Sequence, residues 1–162
     1  MFRRLLCGVV LLGLVVPQAS AATLSDLFGP NATRLSRSVS TEGDKITVVV
    51  DISEQVMKVA VDGRTVYTFD VSTGRAGYTT PQGTWKPIRM HEMWYSSKYE
   101  NSPMPFSIFF YGGYAIHGTG DLAHLGQVAS HGCVRLDPAD AKKLYNLVKD
   151  KGQTNTTITI TG

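Results

Sequence analysis

The residues best suited to chemistry in this chain are one cysteine and two histidines. Cys133 sits in the run Ser130-His131-Gly132-Cys133-Val134-Arg135-Leu136, and His117 lies sixteen positions upstream. A thiol attacks as its thiolate, so it needs a base or a cation close by. His117, His131 and Arg135 offer both, and Gly132 lets a substrate approach the backbone. The expected chemistry is nucleophilic attack by Cys133 with His117 as the base, the thiol pKa being held below its ordinary value of about 8.5. In this reading His131 adds local positive charge, and the backbone N–H groups of Cys133 and Gly132 point at a developing oxyanion. Arg135 has two uses open to it: a bidentate grip on substrate carboxylates, or a structural ion pair with Asp137 or Asp140. The opposing reading of Cys133 is a small buried hydrophobe, where free cysteines usually sit. The polar, glycine-bearing and histidine-rich surroundings favour the nucleophile.

A zinc site is the competing use of His91, His117, His124, His131 and Cys133. No pair among them has the His-x3-His or Cys-x2-Cys spacing that such sites favour, so no metal is expected. His124 reads as a loop residue, and Tyr111 and Tyr114, flanking the approach to His117, read as core or cleft wall.

The N-terminus bears on where such a thiol works. Arg3 and Arg4 precede an apolar stretch at residues 5–16, and Ala19-Ser20-Ala21 supplies a small-x-small cleavage pattern. Twelve residues fall short of the ~20 that span a bilayer as helix. Residues 1–21 are therefore expected to be an export signal cleaved after Ala21, leaving 141 residues, enough for one domain. The formal charge of +3 falls to +1 with the loss of Arg3 and Arg4, which excludes a nucleic-acid footprint and a polybasic membrane patch. Cys7 leaves with the signal, so Cys133 has no partner in its own chain. In an oxidising compartment an odd thiol is intermolecular or reactive.

The elements that must position the site read mainly as β. Residues 22–43, rich in Ser, Thr, Asn and Arg, read as a flexible lead. From residue 44 the pattern changes: residues 46–51 are β-branched, and 55–61 and 65–71 alternate with period two around the turn signal Asp62-Gly63. Further strands are expected at 83–90, 107–110, 114–117 and 156–161. The stretch 91–106, with His91, Met93, Trp94, Tyr95, Tyr99 and Phe106, reads as a long irregular loop, either a lid over a cleft or plain surface packing. One helix is expected after the cysteine, capped by Asp137 with Pro138 at its first position, carrying Leu144, Leu147 and Val148 inward and closed by Gly152. A mainly β, sandwich or barrel-like domain with one substantial helix follows.

Four blocks in order, Ser72-Thr73-Gly74 with Thr80-Pro81-Gln82-Gly83-Thr84, Met104-Pro105-Phe106, Gly112-Gly113-Tyr114-Ala115-Ile116-His117-Gly118-Thr119, and the Cys133 run, resemble the L,D-transpeptidase catalytic domain, the YkuD-type family. The resemblance extends over residues 45–161, within a catalytic domain placed at 44–162. It implies an exported, periplasmic enzyme associated with the cell wall and acting on peptidoglycan stem peptides. Such an enzyme cuts the L,D bond before the terminal D-alanine of a donor tetrapeptide and keeps the acyl group on Cys133. It then passes that group to an amine of another stem peptide or of an envelope protein. The resemblance further implies no cofactor, a monomer, acylation by carbapenems, the Gly118 carbonyl as the group that holds His117, and residues 80–83 as a cleft edge. Ser130, His131, Gly132 and Arg135 fall within the family's orienting, oxyanion and substrate positions. Two alternatives remain at this stage: an L,D-carboxypeptidase of the same fold, in which water resolves the acyl-enzyme, and a non-catalytic peptidoglycan-binding module.

Overall fold

A computed structural model describes residues 44–162 of the chain; the expected export signal at 1–21 and the lead at 22–43 lie outside the described residues. The first three strands form as their alternation requires. In β1 (Ile46–Asp51) the side chains of Ile46, Val48 and Val50 are buried while Thr47 faces water. It pairs antiparallel with β2 (Val56–Val61), which pairs antiparallel with β3 (Arg64–Asp70). Asp62 and Gly63 make the connecting turn with φ of 49° and 78°. Two successive positive φ values are the geometry of the hairpin turn that Asp-Gly favours.

Residues 83–90 do not form the single strand expected of them. β4 (Gly83–Trp85) joins the first sheet by pairing with β9 (Thr156–Thr161), whereas β5 (Arg89–Ser96) belongs to the second. Between them lies Pro87, which has no N–H to give to a ladder. The chain changes sheets there.

The stretch 91–106 is also not an irregular loop. β5 and β6 (Ser102–Tyr111) form an antiparallel hairpin whose turn spans residues 97–101, with Glu100 and Asn101 at φ 49° and 52°. Pro103 and Pro105 conceal this strand from a reading by pattern. Two apart, they lose their N–H groups on one side of the strand, and this part of β6 pairs with β5 alone. Phe106 then takes φ 55°, its ring 5.9 Å from Tyr145. The left-handed backbone at this one residue interrupts the regular alternation, while the β5–β6 register stays in step on both sides of it.

The second sheet runs β5, β6, β7 (Tyr114–Gly118) and β8 (Val134–Leu136), and the first β3-β2-β1-β9-β4. β7 is as expected. β8, three residues that carry no periodic signal, pairs parallel with β7 so that His117 stands opposite Arg135. Helix α1 (Pro138–Lys151) follows at once. The Asp137 side chain accepts from the Ala139 N–H at 2.7 Å, and Gly152 ends the helix at φ 100°. Its inward face is Ala141, Leu144, Tyr145 and Val148, with Leu147 only partly buried. Both sheets and α1 share one core, in which Val48, Val50, Ile116, Leu136, Leu144 and Ile158 are almost fully buried. Burial of such side chains contributes about 1.5–3 kcal/mol each, and β7, β8 and the base of α1 are set rigidly by it.

Candidate active site

Cys133 lies one residue before β8, and the loop that delivers it is held on three sides. The Ser130 hydroxyl, fully buried, donates to the Cys133 carbonyl at 2.6 Å and accepts the Gly132 N–H at 3.0 Å. Residues 72–75 run alongside. Ser72 exchanges backbone hydrogen bonds with Arg135, the Thr73 carbonyl accepts from Ala129 and Ser130, and the Arg75 N–H donates to the Ser130 carbonyl. Gln55 pins this brace from beneath through the Thr73 N–H and hydroxyl. Gly132 has φ 107°, and a Cβ on it would stand 2.6 Å from the Tyr114 ring. Only glycine fits there.

The block at 80–83 is not a cleft edge, and its Thr80 belongs to the same brace. Thr80 is buried with its hydroxyl accepting the Gly74 N–H at 2.9 Å, and Gln82 donates to the Gly162 carbonyl. None of the four residues lines the cavity described next.

One cavity of about 570 Å³ contains His117, His131, Cys133 and Arg135 in its wall, within the size range of small-molecule sites. Its opposite wall is the β5–β6 hairpin, including Trp94, Lys98, Tyr99 and Met104. The stretch read as a lid or surface packing therefore does border the cavity, as an ordered hairpin. Tyr111 is half exposed, Tyr114 packs on Gly132, and His124 sits in a single 3-10 turn with its Nδ1 2.6 Å from Asp121.

His117 is buried on β7, with Nδ1 2.7 Å from the Gly118 carbonyl. A carbonyl only accepts, so Nδ1 carries the hydrogen and the Nε2 lone pair is left for another partner. A side chain on Gly118 would meet Pro105 and Pro138 at 3.0 Å, so the backbone there is packed tightly. Burial, reinforced by Arg135, pushes the His117 pKa down to about 4 against the opposing pull of the Gly118 carbonyl. Burial also pushes the Cys133 thiol up, despite the Ala115 backbone and the charges of Arg135 and Lys98. The resting pair is thus neutral thiol and neutral imidazole. This overturns the expected depressed thiol pKa: the low dielectric that surrounds the sulfur outweighs the nearby cations.

Two further expectations change. His131 does not supply positive charge. Its Nε2 faces the Arg75 guanidinium at 2.7 Å, its ring stacks on Tyr99 at 4.5 Å and meets Tyr78 edge-on at 4.6 Å, and desolvation, Arg75, Arg135 and Lys98 all lower its pKa. A nitrogen facing a guanidinium accepts, so the ring is neutral and the cations are Arg75, Arg135 and Lys98. The Gly132 N–H is not an oxyanion donor either, because the Ser130 hydroxyl takes it. Of the two donors expected, the Cys133 N–H remains. Arg135 pairs with Asp121 at 3.6 Å rather than with Asp137 or Asp140. Arg75, Lys98, Arg89 and Asp121 had no motif or spacing to single them out.

The cavity wall thus joins the Cys133 loop to the His117 strand, and the profile of the L,D-transpeptidase catalytic domain, YkuD, matches residues 45–160. The chain belongs to this family. A curated relative from Bacillus subtilis (strain 168) bearing the YkuD name is 25% identical over 105 residues, covering 62% of this chain and 59% of that protein. The solved L,D-transpeptidase (Yku) from Stackebrandtia nassauensis superposes with a TM-score of 0.64 at 34% identity, over 81% of this chain and 64% of that one. L,D-transpeptidase 3 from Mycobacterium tuberculosis, solved with a faropenem-derived adduct, gives a TM-score of 0.64 at 21% identity over 74% and 61%. This last likeness is one of fold. The chain spans about three fifths of the length of the relatives it matches.

Proposed function

We propose that this L,D-transpeptidase-family protein is an exported, cysteine-dependent acyltransferase of the periplasm. Its substrates are peptidoglycan stem peptides, and it works as a monomer without a cofactor. The observation that carries this reading is the sharing of one cavity by Cys133 and a His117 ring whose Nδ1–H is fixed on the Gly118 carbonyl.

Because thiol and imidazole are both neutral at rest, deprotonation accompanies attack. The Cys133 proton passes to His117 Nε2 as sulfur adds to the donor carbonyl before the terminal D-alanine. The oxyanion is met by the Cys133 N–H and by the field of Arg135, strong in a desolvated site. Collapse breaks the C–N bond, and the departing D-alanine amine takes the proton from His117. A second amine, of another stem or of an envelope protein, then attacks the thioester and gives its proton to His117. The thiolate leaves and recovers a proton from the same ring. Arg135, in its ion pair with Asp121, borders the bound donor.

Incubation of the purified protein with a tetrapeptide donor, with and without an amine acceptor, tests this. The expected products are free D-alanine and, with acceptor present, a cross-linked dimer. D-alanine release with tripeptide as the sole product in both reactions would make it an L,D-carboxypeptidase instead. No release at all, from protein with a free thiol, would support the binding-module alternative.

A further inference from the structure

The cavity wall carries three cations, Arg89, Lys98 and Arg135, against the single carboxylate of Asp121. Arg135 has that carboxylate at 3.6 Å. Arg89 has none: among the described residues its guanidinium makes no ion pair and no hydrogen bond. It lies instead over aromatic faces, 3.9 Å from the Phe109 ring centroid and 5.4 Å from that of Trp94. Those two rings pack in one cluster with Met104, Ala115 and Cys133. A planar guanidinium stacked on rings keeps its edge N–H groups free and fixed in orientation, the arrangement suited to bidentate capture of a carboxylate. Its position within the strand adds to this. Arg89 begins β5, and Lys98 lies in the turn just past its other end at Ser96; both border the cavity that holds Cys133. An extended peptide bound in that cavity along β5 therefore meets a cation at each end of its path.

We propose that Arg89 is a specificity-determining residue that binds a carboxylate of the donor peptide. The inference rests on the reading of the cavity as a stem-peptide site. It goes further in requiring that the donor be recognised through a free acid at this position and that amidation weaken it.

Equilibrium binding to the Cys133→Ala protein tests the subsite without turnover. Titration calorimetry compares a tetrapeptide donor in its free-acid form with the same peptide fully amidated, in backgrounds with Arg89, Arg89→Gln and Arg89→Lys. A charge-assisted pair of this kind is worth about tenfold in affinity or more. The free acid should bind about tenfold more tightly than the amide. Arg89→Gln should abolish most of that preference while leaving the amide's Kd in place, and Arg89→Lys should restore part of it. Matching thermal melts of the three proteins exclude misfolding as the cause. An acid-to-amide ratio unchanged by Arg89→Gln, an equal weakening of both peptides, or no binding of either peptide would overturn the subsite. Failure of the catalytic reading shows separately, as the absence of an acyl-enzyme when the Cys133 protein meets the same donor.

Discussion

A protonated thiol beside a neutral imidazole is inert until a substrate carbonyl arrives, which would suit a nucleophile working in the oxidising surroundings that the proposed export implies. Thiolates are the species that oxidants and stray disulfides attack. This arrangement fixes the pH dependence. His117 must be neutral to take the proton, and with its pKa at about 4 it stays neutral far below the ordinary histidine value of 6.5. The acylation rate should therefore hold from pH 7 down past pH 5 and fall only near pH 4; a descending limb centred near 6.5 in stopped-flow acylation would contradict the burial argument. His117→Gln should cost about 10²–10⁴-fold in the same assay, the range of general-base catalysis. Cys133 and His117 were legible because each residue type is rare in this chain and sits in a glycine-bearing run. The direction of the thiol shift was not, since burial depends on how β7 and β8 pack and no spacing in the sequence reports that. The neutral state of His131 was hidden for the same reason: its partner Arg75 is distant in the chain and is brought close by the bridge between Gly74 and Ser130.

At the scale of elements, the reactive loop is positioned by the segment at 72–75, by Ser130 and by the strand pair β7–β8, with α1 anchoring the far end. The Ser130 hydroxyl satisfies two backbone groups at once within the loop. Ser130→Ala leaves both the Gly132 N–H and the Cys133 carbonyl without that partner. A cost of about 1–3 kcal/mol in stability is expected, together with a loss of at least about tenfold in acylation as the sulfur drifts from its line of attack. Chemical denaturation and acylation kinetics on the same protein check the pair; unchanged acylation would show that the loop is held by the 72–75 brace alone. The alternating strands β1, β2, β3 and β9 and the capped helix were legible because water on one face and core on the other write a period into the sequence. The β5–β6 hairpin was not legible. Pro103, Pro105 and the left-handed backbone at Phe106 erase its alternation, and Met93 and Tyr95 are exposed apolar residues that blur inside and outside. Ser72-Thr73-Gly74 and Thr80 were visible as motifs, but their structural use depends on contacts between residues 72–73 and residues 129–135, far along the chain, with Thr80 holding Gly74 in place.

On the scale of the whole domain, the site costs stability, and the cost depends on pH. His117 binds its proton at about 4 when folded and near 6.5 when unfolded. Between those values the unfolded chain takes a proton that the folded one refuses, so stability is full above pH 6.5 and declines as the pH falls toward 4. The total is about 3 kcal/mol, at 1.36 kcal/mol per unit. Urea titrations at pH 7 and pH 4 should show this loss in the parent protein and a smaller one in His117→Gln; parallel losses in both would place the acid sensitivity elsewhere. The central claim concerns the sulfur itself, and a strained β-lactam reports on it directly, since ring opening by Cys133 traps the acyl-enzyme. Intact-mass spectrometry after incubation with a carbapenem should show one added inhibitor mass, which peptide mapping places on Cys133 and which is lost in Cys133→Ala. An unmodified parent protein whose thiol is free and reduced, or an adduct that persists in Cys133→Ala, would contradict the account.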